Sequence, residues 1–237
     1  MLFLHEVHQV VGAKEDEFEA AFRDGWMPTL AKDDDARLLW YLNHAHGSGV
    51  SYHVVTITAV RDGAAWEGLA RRIQHGDLRD WMRELDTLRH DVTGKILLPL
   101  PWSPMPDVDL TSVPTDAAEH GLTMYMEDTM WPIVGKYPEY IERSGSFYAK
   151  TLAENRDATN PPFLTIEAAF QPAFGSHVRR EVTLMQRILD PERLLGLLTR
   201  DIPVEMRAPG TWMHEALQLR DQWESKLLRT VSWSPRW

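Results

Sequence analysis

The chain has 237 residues, 43% of them hydrophobic and 25% charged, a composition that fits a globular protein of one large or two small domains. It contains no cysteine, which excludes disulfides, thiolate nucleophiles, iron–sulfur clusters and cysteine-built zinc sites. A formal net charge of -10 with no basic stripe sets nucleic acid aside as a partner, and no run of about 18 apolar residues offers a membrane span.

In chain order, Met1 to Glu6 lack the basic start and apolar core of a secretory signal, so a cytoplasmic protein is expected. Leu2 to Val11 is a strand candidate. Glu15 to Lys32 carries Phe18, Phe22, Trp26 and Leu30 at four-residue spacing, an amphipathic helix disturbed near its end by Gly25 and Pro28. Two strands follow, Arg37 to Ala45 and Ser51 to Val60, rich in aromatic and β-branched residues and joined through His46-Gly47-Ser48-Gly49. Helices are expected at Ala64 to Gln74 and Leu78 to Val92, and a closing strand at Lys95 to Leu100. Pro101 to His120, with prolines at 101, 104, 106 and 114, reads as an extended linker.

Beyond the linker the pattern recurs. Trp81, Met82, Glu84, Leu88 and Arg89 match Trp212, Met213, Glu215, Leu219 and Arg220, and Trp102-Ser103-Pro104 returns as Trp233-Ser234-Pro235. Gly47-Ser48 faces Gly175-Ser176, Val54 faces Val182, and Leu4-His5-Glu6 faces Tyr125-Met126-Glu127. The second copy opens its short helix with Asp190-Pro191-Glu192, an N-cap followed by a first-turn proline. A repeat of this kind governs the whole fold. The division expected is a first unit over 1–105, a linker over 106–120 and a second unit over 121–237, each unit ordered β-α-β-β-α-β.

That order is the split βαβ, ferredoxin-like motif, a four-stranded antiparallel sheet with helices on one face. The bare face must be buried, so the fold class expected is α+β: two tandem units packed sheet to sheet as an intramolecular dimeric α+β barrel. The Trp-x-x-acidic helix, the Lys-Ile-Leu-Leu or Lys-Leu-Leu-Arg strand and the terminal Trp-Ser-Pro resemble the NIPSNAP-like branch of the dimeric α+β barrel superfamily, once per half. The resemblance implies a superfamily of cofactor-independent monooxygenases, cyclases, isomerases, haem enzymes and proteins without known activity.

Strand alternation assigns an interior register. Leu164, Ile166 and Ala168 oppose Thr165, Glu167 and Ala169, with Leu38, Trp40 and Leu42 against Leu39, Tyr41 and Asn43 in the first copy. The polar register is expected to face away from the helices, bringing together Glu6, His8, Tyr41, Asn43, His53, Tyr125, Glu127, Glu167 and Glu181, with Trp131 beside them. Several carboxyls in one enclosure cannot all stay ionised, and perturbed acids beside His and Tyr are what proton transfer uses. Glu6, His8 and Glu127 are the catalytic candidates; Tyr41, Asn43, His53, Tyr125, Trp131, Glu167 and Glu181 are the substrate-binding candidates.

His44-Ala45-His46 shares one strand face, but its place beside the Gly-Ser-Gly turn points to an exposed hairpin end, and no metal is expected. Related barrels bind haem, for which one histidine suffices, yet nothing selects one here and no cofactor is assigned. Walker, dinucleotide and nucleophile-elbow signatures are missing. The function expected is an acid/base enzyme of isomerase, cyclase, dehydratase or cofactor-independent monooxygenase type, acting on a hydrophobic, aromatic or polyketide-like molecule in the barrel cavity. The alternatives are a non-catalytic small-molecule-binding or interaction protein, or a haem- or metal-dependent enzyme of the same fold. A monomer with an internal pseudo-dimer, or a homodimer, is expected.

Overall fold

The computed structural model describes residues 1–154, 162–175 and 179–237, so Ser176 of the Gly-Ser match lies outside the described residues. The chain divides into two units, one made of Met1–Leu98, Asp107–Thr123 and Leu227–Trp237, the other of Pro99–Pro106 and Met124–Lys226. The Trp-Ser-Pro end of each sequence half therefore belongs to the unit of the other half. The stretch expected as an extended linker is also partly packed: Val108, Leu110 and Val113 are buried in the first unit.

The first unit begins with β1 (Leu2–Val10), which is followed by α1 (Glu15–Ala20), a π-helical turn at Ala21–Trp26 and α2 (Met27–Leu30). The π turn falls where the sequence places Gly25, whose missing side chain admits the Trp81 ring; a Cβ there would overlap it. β2 (Ala36–His44) and β3 (His53–Val60) form the hairpin. Asp62 caps α3 (Gly63–His75) by accepting from the Ala65 amide at 2.9 Å, and α4 (Arg79–Leu88) runs into β4 (Arg89–Pro99). The strand order β4-β1-β3-β2 is that of a ferredoxin-like sheet, with Leu228–Thr230 added beside β2.

Phe18, Phe22, Trp26 and Leu30 pack on one face of this sheet against Val10, Leu38, Tyr41, Val54 and Val60. Since burying one large apolar side chain is worth about 1.5–3 kcal/mol, this layer is a main source of the unit's stability.

The second unit repeats the plan with β5 (Met124–Pro132), α5 (Tyr137–Arg143), a π-helical turn at Ser144–Ala149 and α6 (Lys150–Glu154). β6 (Leu164–Pro172), β7 (Val182–Ile188), α7 (Pro191–Thr199), α8 (Trp212–Ala216) and β8 (Arg220–Thr230) complete it, in the order β8-β5-β7-β6. Asp190 caps α7 by accepting from the amides of Glu192 and Arg193. α7 stops at Thr199, where α3 continues to His75; Pro203 interrupts the longer helix, and only a 3-10 turn at Val204–Arg207 follows before α8. Among the described residues no helix is long and apolar enough to cross a membrane.

Each unit carries a β-bulge at the same place. The pairing of β2 with β3 slips between Leu38 and Trp40, and that of β6 with β7 between Ile166 and Ala168, leaving Leu39 and Glu167 as the extra residues. A bulge shifts every following side chain to the opposite face, and this decides where the polar residues point.

Candidate acid/base site

In β1, Glu6 stands opposite Thr56 of β3 and Gly94 of β4, and His8 stands opposite Val54. Thr56 in turn opposes Tyr41, and Val54 opposes Asn43. Val54 and Tyr41 belong to the helix-packed core, so Glu6, His8, Tyr41 and Asn43 all point toward the helices, not away from them. This corrects the register expected from alternation. In β2 the cause is the bulge at Leu39. In β1 both registers mix apolar and polar residues, because both faces are largely buried and alternation loses its contrast.

The two pairing schemes also correct the repeat. Leu4, Glu6 and His8 oppose Thr58, Thr56 and Val54, while Met126, Asp128 and Met130 oppose Gln186, Leu184 and Val182. With Val54 matching Val182, the counterpart of Glu6 is Asp128, and Glu127 corresponds to His5. The first strands match one residue further along than the sequence similarity indicates.

The remaining candidates lie on the faces turned away from the helices. His53 is in the first unit, with its ring 5.6 Å from that of His44. In the second unit, Glu127 is fully buried and ion-paired with Lys226 at 3.3 Å. Glu181 accepts from the Trp131 indole at 3.1 Å, and Glu167 pairs with Arg187 at 3.0 Å. Tyr125, opposite Arg187, shares the register of Glu127. The structure thus brings Glu6, His8, Tyr41 and Asn43 together on one face, and Tyr125, Glu127, Trp131, Glu167 and Glu181 on another.

Around Glu6 and His8 the geometry is specific. The Arg89 Nη1 donates to His8 Nδ1 at 2.7 Å, and His8 Nε2 lies 3.0 Å from Thr56 Oγ1. Arg89 is anchored by Asp86, to which its Nε donates at 3.1 Å. Phe18 and Phe22 rest against the imidazole with ring centroids 5.3 and 5.4 Å away. Burial, the Arg89 charge and His5 push the His8 ring down to about 3, so it is neutral at physiological pH. With both nitrogens engaged and aromatic rings against it, His8 offers no lone pair to a haem iron.

Glu6 differs. Among the described residues its half-buried carboxyl has no hydrogen-bond or ion-pair partner, and desolvation raises it from 4.5 to about 7, with Arg89 pulling the other way. On the same face, the Tyr41 hydroxyl and the Asn43 side-chain oxygen are buried without hydrogen-bond partners among the described residues. Arg89 and Thr56 were missed in the sequence: Arg89 sits at a helix-to-strand junction and Thr56 inside an ordinary strand run.

In the second unit, Asp128 Oδ2 accepts from the Gln186 amide at 2.8 Å, whose oxygen accepts from the Tyr148 hydroxyl at 2.6 Å. Burial raises the Asp128 carboxyl, while hydrogen bonds from Ser225, Gln186 and Trp223 oppose the rise. Trp212 stacks on Tyr148. Among the described residues no group of three or more His, Asp or Glu is placed to hold a metal ion.

The folds of known proteins agree with this architecture. A candidate monooxygenase of Lactobacillus acidophilus aligns with 99% of this chain and 96% of its own at a TM-score of 0.58 and 12% identity. An anthrone oxidase-like protein aligns over 97% of this chain and 91% of its own, with a TM-score of 0.56 and 9% identity. Structural neighbours also include a NIPSNAP domain protein of Burkholderia xenovorans, 19% identical, which covers 44% of this chain with 99% of its own at a TM-score of 0.37. No family model and no curated protein matches the chain. The likenesses to the monooxygenase and the anthrone oxidase-like protein establish the fold, a tandem of ferredoxin-like units of the dimeric α+β barrel class.

Proposed function

We propose that the chain is a small-molecule enzyme in which Glu6 transfers a proton to and from a hydrophobic, aromatic or polyketide-like substrate. The observation that carries this reading is the Glu6 carboxyl itself: half-buried, without a bonded partner among the described residues, and raised to about 7. A general base works best when its pKa lies near the working pH, and structural acids are normally bonded. The oxygens of Tyr41 and Asn43, on the same face and unpartnered among the described residues, are the kind of group that hydrogen-bonds a ligand oxygen.

The chemistry that fits is removal of a C–H proton made acidic by conjugation with an aromatic carbonyl. The resulting anion is reprotonated at another carbon, which is isomerisation, or attacks a second carbonyl carbon of the same molecule with the proton passing to the new alkoxide, which is cyclisation, or gives an electron to dioxygen, the cofactor-independent oxygenase route. The names of the two full-length neighbours, a candidate monooxygenase and an anthrone oxidase-like protein, favour substrates of this class. Glu127, ion-paired in the second unit, has no part in this proposal.

The test is solvent deuterium uptake by anthrone and related enolisable aromatic ketones, followed by NMR with and without protein, with oxygen consumption recorded in parallel. Exchange above the buffer rate that disappears in Glu6→Gln supports the reading. Saturable binding across the panel with no added exchange would instead make the protein a non-catalytic binder.

A further inference from the structure

The contacts of His8 fix more than its charge. Arg89 can only donate, so the 2.7 Å contact to Nδ1 requires that nitrogen to be the acceptor. The ring proton then sits on Nε2 and is donated to Thr56 Oγ1, 3.0 Å away. Arg89 is held in turn by Asp86, and its side chain is almost fully buried. The result is a chain of hydrogen bonds with a single direction, from Arg89 through His8 to Thr56. It ends on the residue directly opposite Glu6 in the sheet.

We propose that Arg89 is the positioning residue of this site: anchored by Asp86, it locks His8 in the Nε2–H tautomer, so that His8 donates to Thr56 and the task of accepting a proton falls to Glu6. This rests on the proton-transfer reading for its catalytic meaning, but the tautomer lock is a property of the resting protein and is measurable without a substrate. The charged and titratable groups facing His8 are His5 and Glu6 on β1, Arg89 on β4 and Asp86 on α4; Phe18 and Phe22 close the helix side with no charge. Thr56 gains a role as the end of the chain, where its own hydroxyl proton remains available to the row that contains Glu6.

The experiment is ¹H–¹⁵N correlation of the histidine ring nitrogens in ¹⁵N-labelled full-length protein over the near-neutral pH range. The expected wild-type result is a protonated Nε2 and an unprotonated Nδ1 on His8, unchanged with pH. Arg89→Lys keeps a donor to Nδ1 and should keep the signature. Arg89→Met should release Nδ1, giving mixed tautomers or a ring that titrates near neutrality. Should Arg89→Met fail to fold, Asp86→Asn loosens the same arginine and should weaken the lock in part. A wild-type His8 that carries its proton on Nδ1, or titrates near its ordinary pKa, overturns the proposal. So does a folded Arg89→Met whose His8 signature is unchanged. Loss of deuterium exchange in Glu6→Gln with no lock at His8 would refute this inference alone, and a lock without exchange would refute the proton-transfer reading alone.

Discussion

Glu6 and Asp128 occupy the same place in the two units, Glu6 opposite Thr56 and Asp128 opposite Leu184, each two residues along from the matching pairs His8–Val54 and Met130–Val182, and their surroundings differ in one respect. Asp128 is tied through Oδ2 into a chain with Gln186 and Tyr148, so hydrogen bonds offset part of its cost of burial, although its Oδ1 is buried without a hydrogen-bond partner among the described residues. Glu6 has no such bond among the described residues, and the polar chain nearest to it, Arg89 to His8 to Thr56, stops short of it. Duplication gave both units an acid on the helix side. In one copy the acid is bonded into a side-chain network; in the other it has no hydrogen bond among the described residues.

The first way to break this comparison carries the largest effect. Glu6→Gln should lower deuterium exchange about 100-fold or more, the usual loss on removing a general base, while Asp128→Asn leaves it near wild type. Equal losses in both variants would mean the two acids have not diverged.

Next comes pH. A carboxyl raised from 4.5 to about 7 binds its proton more tightly in the folded state than in the unfolded chain. Its contribution to stability is therefore complete below about pH 4.5 and is lost as pH rises through about 7, by at most about 3 kcal/mol. Asp128, raised as well, acts with the same sign. Denaturant melts across this range should show stability falling with pH, with a shallower fall in Glu6→Gln. Activity should move the opposite way, rising with a midpoint near 7 as the base ionises.

Asp128→Ala sharpens the structural side. It leaves the buried Gln186 amide without its acceptor and should cost about 1–3 kcal/mol in a denaturant titration, with the His8 signature in the first unit unaffected.

The smallest effect tests where the units are alike. Gly68 in α3 and Gly196 in α7 both face open space where a Cβ would be. Alanine at either should raise stability by about 0.5–1 kcal/mol, unlike alanine at Gly25, whose Cβ would meet the Trp81 ring.

Much of the scaffold is legible in the residues. Phe18, Phe22, Trp26 and Leu30 announce a helix face, Asp190 caps where capping chemistry predicts, and Trp81 with Trp212 reveals the repeat. The site is legible in its members and not in its geometry. Glu6, His8, Tyr41 and Asn43 can be picked out as polar residues in buried strands, but the bulge at Leu39 leaves no mark on a hydrophobic pattern whose two faces are both apolar. The same lack of contrast places Glu6 beside Glu127 in a linear comparison, when the hydrogen-bond register pairs it with Asp128. The role of Arg89 depends on the helix giving way directly to strand at that residue, which spacing alone does not show.

The central claim is that Glu6 is the poised acid of the first unit. Carbon-13 NMR of the side-chain carboxyls, with Glu6 assigned by its absence from Glu6→Gln, measures this directly. The account predicts a titration midpoint near 7 for Glu6. A midpoint in the ordinary glutamate range, near 4.5, would contradict it.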